Sequence, residues 1–382
     1  MTKAHAPIAP SGAAQIVQCP GSLRMQAKYP EGEQDEAAAE GEAAHWVLEQ
    51  MMAGHVPAEG SPTPNARVVT DAMLDGADVA IEQVLADLQP FGLGLEDVAV
   101  EQPVNISRVH ADCWGTPDLR AWVPGNKHPQ GIPTLYVWEY KFGHRHVDVF
   151  ENLQLVAYAV GALEATRLQD SQAQCVLGII QPRAFHKDGP CRWWKVKMDQ
   201  LRALVNIYSN AAHEALGDNP RVQTGPGCRD CRARHACPTL QTASYSLVEM
   251  AGRAQVLEMP AEAMGLELAT ITDAIARLTA RQTGLQEQVE ATIRAGKRVP
   301  GWRVEHGLGR TTWKRPAAEV IQLGAVMGLN LAKPPAAVTP RQAKLAGLPE
   351  TIVAAYSEAL TGAATLTRDT GDRARKVFSS AY

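Results

Sequence analysis

The segment "TLYVWEYKF", residues 134–142, constrains this chain more than any other. It reads as an apolar, β-branched and aromatic strand, yet it carries Glu139 and Lys141. Strand side chains alternate between faces, so residues two apart point the same way. A carboxylate and an ammonium therefore share one face beside Val137. On a solvated edge strand such a pair is an ordinary salt bridge. On an interior strand it needs a reason.

The surrounding periodicity supplies the frame. Residues 35–54 read as an Ala- and Glu-rich helix closed by Gly54, and 70–89 as a helix capped by Thr70. The segments 96–106, 113–123 and 134–142 alternate like strands. A helix follows over 148–168, then strands over 174–182 and 191–198, then a helix over 198–217. Helix, three strands, helix, two strands, helix predicts an α/β (mixed α+β) domain, with a mixed central sheet flanked by helices. The chain has 382 residues, enough for two or three units. The divisions expected are 1–245 for this domain, 246–300 for a long helical segment including Pro260–Ala295, and 301–382 for a small basic region. Within the last, 301–313 reads as a short hairpin, followed by short helices with Pro breaks.

No stretch of about 18 apolar residues suggests a membrane span, and the N-terminus lacks a signal-peptide layout. The expected location is cytoplasmic. The net charge of −4 argues against indiscriminate nucleic-acid binding. It is unevenly spread, however. Residues 1–250 hold 20 Lys and Arg against 29 Asp and Glu; residues 251–382 hold 17 against 12. A basic C-terminal third suits a local DNA-contact patch and equally a solvated surface. Trp302, Arg303, Arg310, Trp313, Lys314 and Arg315 could stack on bases and pair with phosphates, or form a small Trp-centred hairpin with a basic face.

Around Glu139 and Lys141 other polar residues are suitably spaced. "GTPDLRAW" bends the chain and delivers Asp118 at a strand start. Gln154 and Tyr158 lie at i and i+4 on one helix face, His45 is mid-helix, and Glu101 opens the first strand as a carboxylate behind the others. Two carboxylates on adjacent strands can hold Mg²⁺ or Mn²⁺ through hard oxygen ligands. Such a cation lowers the pKa of a bound water and offsets charge on a phosphate. A neighbouring lysine can orient or deprotonate the attacking water.

This set resembles the RecB-like branch of the PD-(D/E)XK nuclease superfamily, over roughly residues 40–160. "GTPDLRAW", "EYK" and "QLVAY" are each weak motifs; in this order they are fairly specific. The resemblance implies that His45, Asp118 and Glu139 ligate metal together with the backbone carbonyl of Tyr140. It also implies that Lys141 is the catalytic lysine, and that Gln154 and Tyr158 organise the site and touch DNA. A departure is Glu139, where many RecB-like members carry Asp.

Seven cysteines in a cytosolic chain do not suggest a disulfide framework. "GCRDCRARHACP" places Cys228, Cys231 and Cys237 in a C-x2-C-x5-C pattern, which calls for a fourth ligand. Cys19, in "QCPGS", is the distant candidate, and His235 is the alternative. Spacing alone suits structural Zn²⁺. One early and three late cysteines around the core also resemble the [4Fe–4S] staple of several RecB-like nucleases, and by that resemblance iron–sulfur is favoured. Cys113, Cys175 and Cys191 lie in strand-like segments and read as ordinary buried residues.

The whole chain is similar to an uncharacterised group of phage and prophage proteins with a RecB-like core. The matching blocks are "CPGS", "GTPDL…EYKFG", "PGWRVEHGLGRTTW" and "DTGDRARKVF". The resemblance implies a recombination exonuclease acting on duplex ends or single strands of DNA, often encoded near a single-strand annealing protein. The rival readings are a non-catalytic DNA-binding protein on a nuclease-like fold and a zinc-stapled phage scaffold.

Overall fold

The computed structural model describes residues 6–29, 36–184, 189–251, 260–305, 317–327 and 349–357. The chain divides into two compact units, Met1–Ala291 with Asp369–Tyr382, and Thr292–Arg368.

The first unit is built on a five-stranded mixed sheet. Its strands are β1 (Ala99–Val100), β4 (Leu119–Val123), β5 (Thr134–Tyr140), β6 (Gln174–Ile180) and β7 (Cys191–Lys197), in the order β1-β4-β5-β6-β7. β5 and β6 run parallel and every other neighbour is antiparallel. Parallel neighbours need a crossover, supplied here by helix α5 (Leu153–Glu164). A separate ribbon pairs β2 (Val104–Asn105) with β3 (Trp114–Gly115).

Helices cover both faces. Helices α1 (Ala13–Gln18), α5 and α6 (Arg202–Leu216) lie on one side, where Leu135, Val137, Leu177 and Ile179 meet Leu155, Val156 and Val205. Helices α3 (Glu36–Met52) and α4 (Asp71–Leu88) lie on the other, where Tyr136, Trp138 and Tyr140 meet Val47, Met73 and Val84. β5 is therefore covered on both faces, and all seven of its residues are buried. That explains its almost continuous apolar sequence. Glu139 and Lys141 do not sit on a solvated edge, as the salt-bridge reading required; β5 is the middle strand.

Two expected strands are broken. The stretch 96–106 is interrupted at Glu101–Pro103 and 113–123 at Thr116–Asp118. Each contains a proline, which cannot donate to a ladder, and alternation alone did not reveal the interruption. The helix expected over 148–168 starts only at Leu153. Asn152 caps it, its side chain accepting from the amides of Gln154 and Leu155. A 3₁₀ turn at Met198–Leu201 precedes α6.

Helix α2 (Ser22–Gln26) follows Cys19. Beyond the sheet come helices α7 (Pro238–Ala251) and α8 (Ala261–Arg294). The long helical run expected over Pro260–Ala295 is α8; residues 252–259, ahead of it, lie outside the described residues. In the second unit, short helices span Ala317–Val326 and Glu350–Tyr356. Of the hairpin expected over 301–313, residues 301–305 are described. They form no strand, and Trp302 and Arg303 are exposed. Arg310, Trp313, Lys314, Arg315 and the "DTGDRARKVF" tail lie outside the described residues.

Candidate active site

Sheet register builds the site. β1 and β4 pair Val100 with Leu119, so the next step sets Glu101 beside Asp118, and the Glu101 amide donates to the Asp118 carbonyl at 3.0 Å. β4 and β5 pair Leu119 with Trp138, so the next step sets Asp118 beside Glu139. Three carboxylates, just past β1, just ahead of β4 and within β5, thus lie in one row at the end of the sheet. The "GTP" bend delivers Asp118 there, and Gly115 is required for close approach: a Cβ would lie 2.8 Å from Pro10 and 3.0 Å from Tyr158. Glu101 has φ 48°, in the left-handed region that a residue other than glycine seldom adopts. Strain of that kind, held beside a row of acids, is what functional sites accumulate.

Asp118 is held from two sides. Its Oδ2 accepts from the Tyr140 amide at 2.7 Å, and its Oδ1 meets His45 Nδ1 at 3.2 Å. His45 comes from the middle of α3, and its ring rests edge-on against Tyr140 at 5.3 Å between centroids. Burial pulls the imidazole pKa down, but the Asp118 carboxylate outweighs it and holds His45 above its ordinary value. Burial likewise works against ionisation of Asp118, and the neighbouring His45 and Lys141 overcome it, leaving the carboxyl below its ordinary value.

Glu139 is 3% exposed. Its Oε1 accepts from Lys141 Nζ at 2.6 Å and from Gln154 Nε2 at 2.7 Å. Its Oε2 is buried with no hydrogen-bond partner. Burial first, then the Asp118 charge, push its pKa up to about 7, against the pull of Lys141. Burial lowers Lys141 in turn, but Glu139 and Asp118 hold its ammonium above the ordinary value. Gln154 Nε2 also reaches the Tyr158 hydroxyl at 3.3 Å, so the i, i+4 pair works as one relay from α5 to Glu139.

The structure thus brings together His45, Asp118, Glu139, Lys141, Gln154 and Tyr158. Among the described residues, one group of three His, Cys, Asp or Glu side chains has ligand atoms all within 4.8 Å of one another: His45, Glu101 and Asp118. Glu101 was expected behind the ligands and instead stands among them. The signal that could have placed it is the β1–β4 register, which alternation within one strand does not contain.

A further residue went unnoticed in the sequence. Gln181, fully buried just past β6, donates from Nε2 to the carbonyls of Gly143 and Arg145 at 2.7 and 2.6 Å. Its Oε1 accepts from the Val147 amide at 3.2 Å and from Arg192 at 2.7 Å. One side-chain amide therefore shapes the loop joining Lys141 to the helix that carries Gln154.

The four expected metal-binding cysteines also converge. Cys19 from the end of α1 lines one cavity with Cys228, Cys231 and Cys237. The flanking chains are joined by several hydrogen bonds: Gln15 Nε2 to the Gly227 carbonyl at 3.4 Å, the Gly227 amide to Gln18 at 2.8 Å, and the Arg232 amide to Gln26 at 3.1 Å. His235 does not line the cavity; its Nδ1 meets the Arg232 carbonyl at 3.1 Å and its ring packs against Tyr29. Cys113 and Cys175 are buried as expected, and Cys191 is half-buried.

A family described as "Protein of unknown function (DUF2800)" matches residues 5–329. The chain belongs to this family. The match spans the sheet, the row of acids and the cysteine cavity alike, so both sites fall within what the family covers. Among solved structures, one described as "Crystal structure of SSO0001" is similar to 62% of this chain and 88% of that one, at 15% identity and a TM-score of 0.29. Among the described residues no helix is long and apolar enough to cross a membrane.

Proposed function

We propose that the protein is a Mg²⁺- or Mn²⁺-dependent deoxyribonuclease on a PD-(D/E)XK-like core, degrading linear DNA from its ends. The observation that carries this reading is Glu139: a buried carboxylate on the middle strand, one oxygen held by Lys141 and Gln154 and the other without a partner. A lone buried carboxylate oxygen beside a second acid costs stability, and a cation in front of the row removes that cost. The donor set fits one. His45, Glu101 and Asp118 already converge, Glu139 stands next to Asp118 in the row, and oxygen-rich sites of this kind suit hard divalent ions.

When bound, the cation supplies a water of lowered pKa and positive charge against the phosphate. The remaining roles fall to this chain. Lys141 Nζ, anchored on Glu139, keeps its proton and presents an ammonium to the phosphate or to the attacking water. Gln154 and Tyr158 fix the Glu139 carboxylate in place. His45 holds Asp118 ionised and oriented.

The cysteine cavity reads as a [4Fe–4S] staple. Four cysteines line it, one early in the chain and three late, and four thiolates in that arrangement match the iron–sulfur staple that the sequence resembles.

The test is digestion of linear and circular duplex DNA with Mg²⁺ or Mn²⁺, wild type beside Lys141→Ala, using protein purified without oxygen. We expect linear DNA to disappear, circular DNA to survive, and the substitution to abolish digestion. Cleavage of both forms would indicate an endonuclease using the same residues. Absence of metal-dependent loss, or equal loss with Lys141→Ala, would rule out the catalytic reading and leave a DNA-binding or scaffold protein.

A further inference from the structure

The cysteine cavity is lined by hydrogen-bond donors beyond those its thiols already use. The thiols have backbone donors of their own: the Gln223 amide reaches Cys19 Sγ at 3.3 Å, the Gly225 amide reaches Cys228 Sγ at 3.4 Å, and the Ala233 amide serves Cys231. Three side chains that line the same cavity nevertheless carry buried polar atoms with no partner: Ser22 Oγ, Gln18 Nε2 and Arg234 Nε. Ser22 is 3% exposed.

None of these is a stray surface group. Gln18 is anchored at its other end, where Oε1 accepts from the Gly227 amide. Arg234 is anchored by its Nη atoms on the Arg229 carbonyl and on Glu287. Ser22 starts helix α2, with its amide donating to the Cys19 carbonyl at 2.9 Å. Leaving a buried donor unpaired costs on the order of 1–3 kcal/mol, and three in one cavity indicate an occupant with acceptor atoms of its own. Zinc bound by four thiolates offers none beyond those thiolates. A cluster offers its bridging sulfides, and it is anionic, which suits Arg234 and the Arg277 charge felt by Cys228.

We infer that Ser22, Gln18 and Arg234 donate hydrogen bonds to the sulfur atoms of the bound cluster and set its reduction potential. The inference rests on the iron–sulfur reading above. Hydrogen bonds to cluster sulfur favour the more negative, reduced form and raise the potential. These side chains are positioning residues for the cluster, and DNA degradation is not their readout.

The experiment uses the full chain, purified anaerobically, with iron and acid-labile sulfide assayed and the midpoint potential taken from a dithionite titration followed by electron paramagnetic resonance. Ser22→Ala and Gln18→Leu should keep the wild-type iron and sulfide content and shift the potential downward, with faster bleaching in air. Ser22→Thr, which retains the hydroxyl, should stay at the wild-type value. Loss of the cluster from Ser22→Ala with retention in Ser22→Thr would also support the inference. Loaded Ser22→Ala and Gln18→Leu proteins at the wild-type potential would overturn it, as would loss from both serine variants with Gln18→Leu unchanged. Wild-type protein that holds zinc and no sulfide would overturn the cluster reading itself, and this inference with it.

Discussion

Glu139→Gln should reduce DNA digestion by about 10³-fold, the scale on which a preorganised site loses rate when one group aimed at developing charge is removed. The same variant should melt higher than wild type without metal, by about 2 °C. The two effects share one cause. Glu139 is a buried charge beside Asp118 with one oxygen unpartnered, so neutralising it relieves the folded state. Gln154 can still donate to the amide oxygen, and Lys141 keeps the nearby charge of Asp118. Added Mg²⁺ should raise the melting temperature of wild type and leave the variant where it was, since a ligand stabilises only the state that binds it. A thermal melt with and without Mg²⁺, beside the digestion assay, reads both. A variant that keeps its Mg²⁺ response and its activity would remove Glu139 from the site.

Cys19→Ala should lower stability by about 5 kcal/mol, the entropy of closing a loop of some 200 residues, and should cost the protein its iron. Cys19 is the one cysteine contributed from the N-terminal side of the sheet, against three from residues 228–237. Cys175→Ala is the control. That thiol is equally buried but lies in β6 beneath the helices, and its truncation should cost only about 1 kcal/mol. Limited proteolysis should then cut Cys19→Ala near residues 6–29 and 220–240 while Cys175→Ala resists. Equal melting temperatures and equal iron in the two variants would show that the thiols around the cavity hold nothing in common.

How much of this was legible in the sequence depends on how local each constraint is. Glu139 and Lys141 could be placed on one face because a strand repeats every two residues, and Gln154 and Tyr158 on another because a helix repeats every 3.6. The chain pattern also predicted a mixed sheet with helices, since apolar periodicity changes where each element begins. Glu101 and Gln181 escaped for the opposite reason. Glu101 enters the row of acids through a pairing register and a left-handed backbone, and Gln181 acts through the backbone of a loop more than thirty residues upstream. Neither relation leaves a trace in a window of neighbouring residues. The two broken strands show the converse limit: alternation continued across 96–106 and 113–123 where the pairing did not.

The seam between the first helices and the cysteine loop has a consequence for the order of assembly. Gln18 and Gly227 meet in the fold but lie 209 residues apart in the chain. At a synthesis rate of about 5–20 residues per second, the first side of that seam waits roughly 10–40 s for the second. All five strands of the sheet and the helices α3, α4, α5 and α6 are made in the interval. The seam cannot nucleate folding; it closes as a latch on a sheet already made, and any cofactor it holds must arrive last.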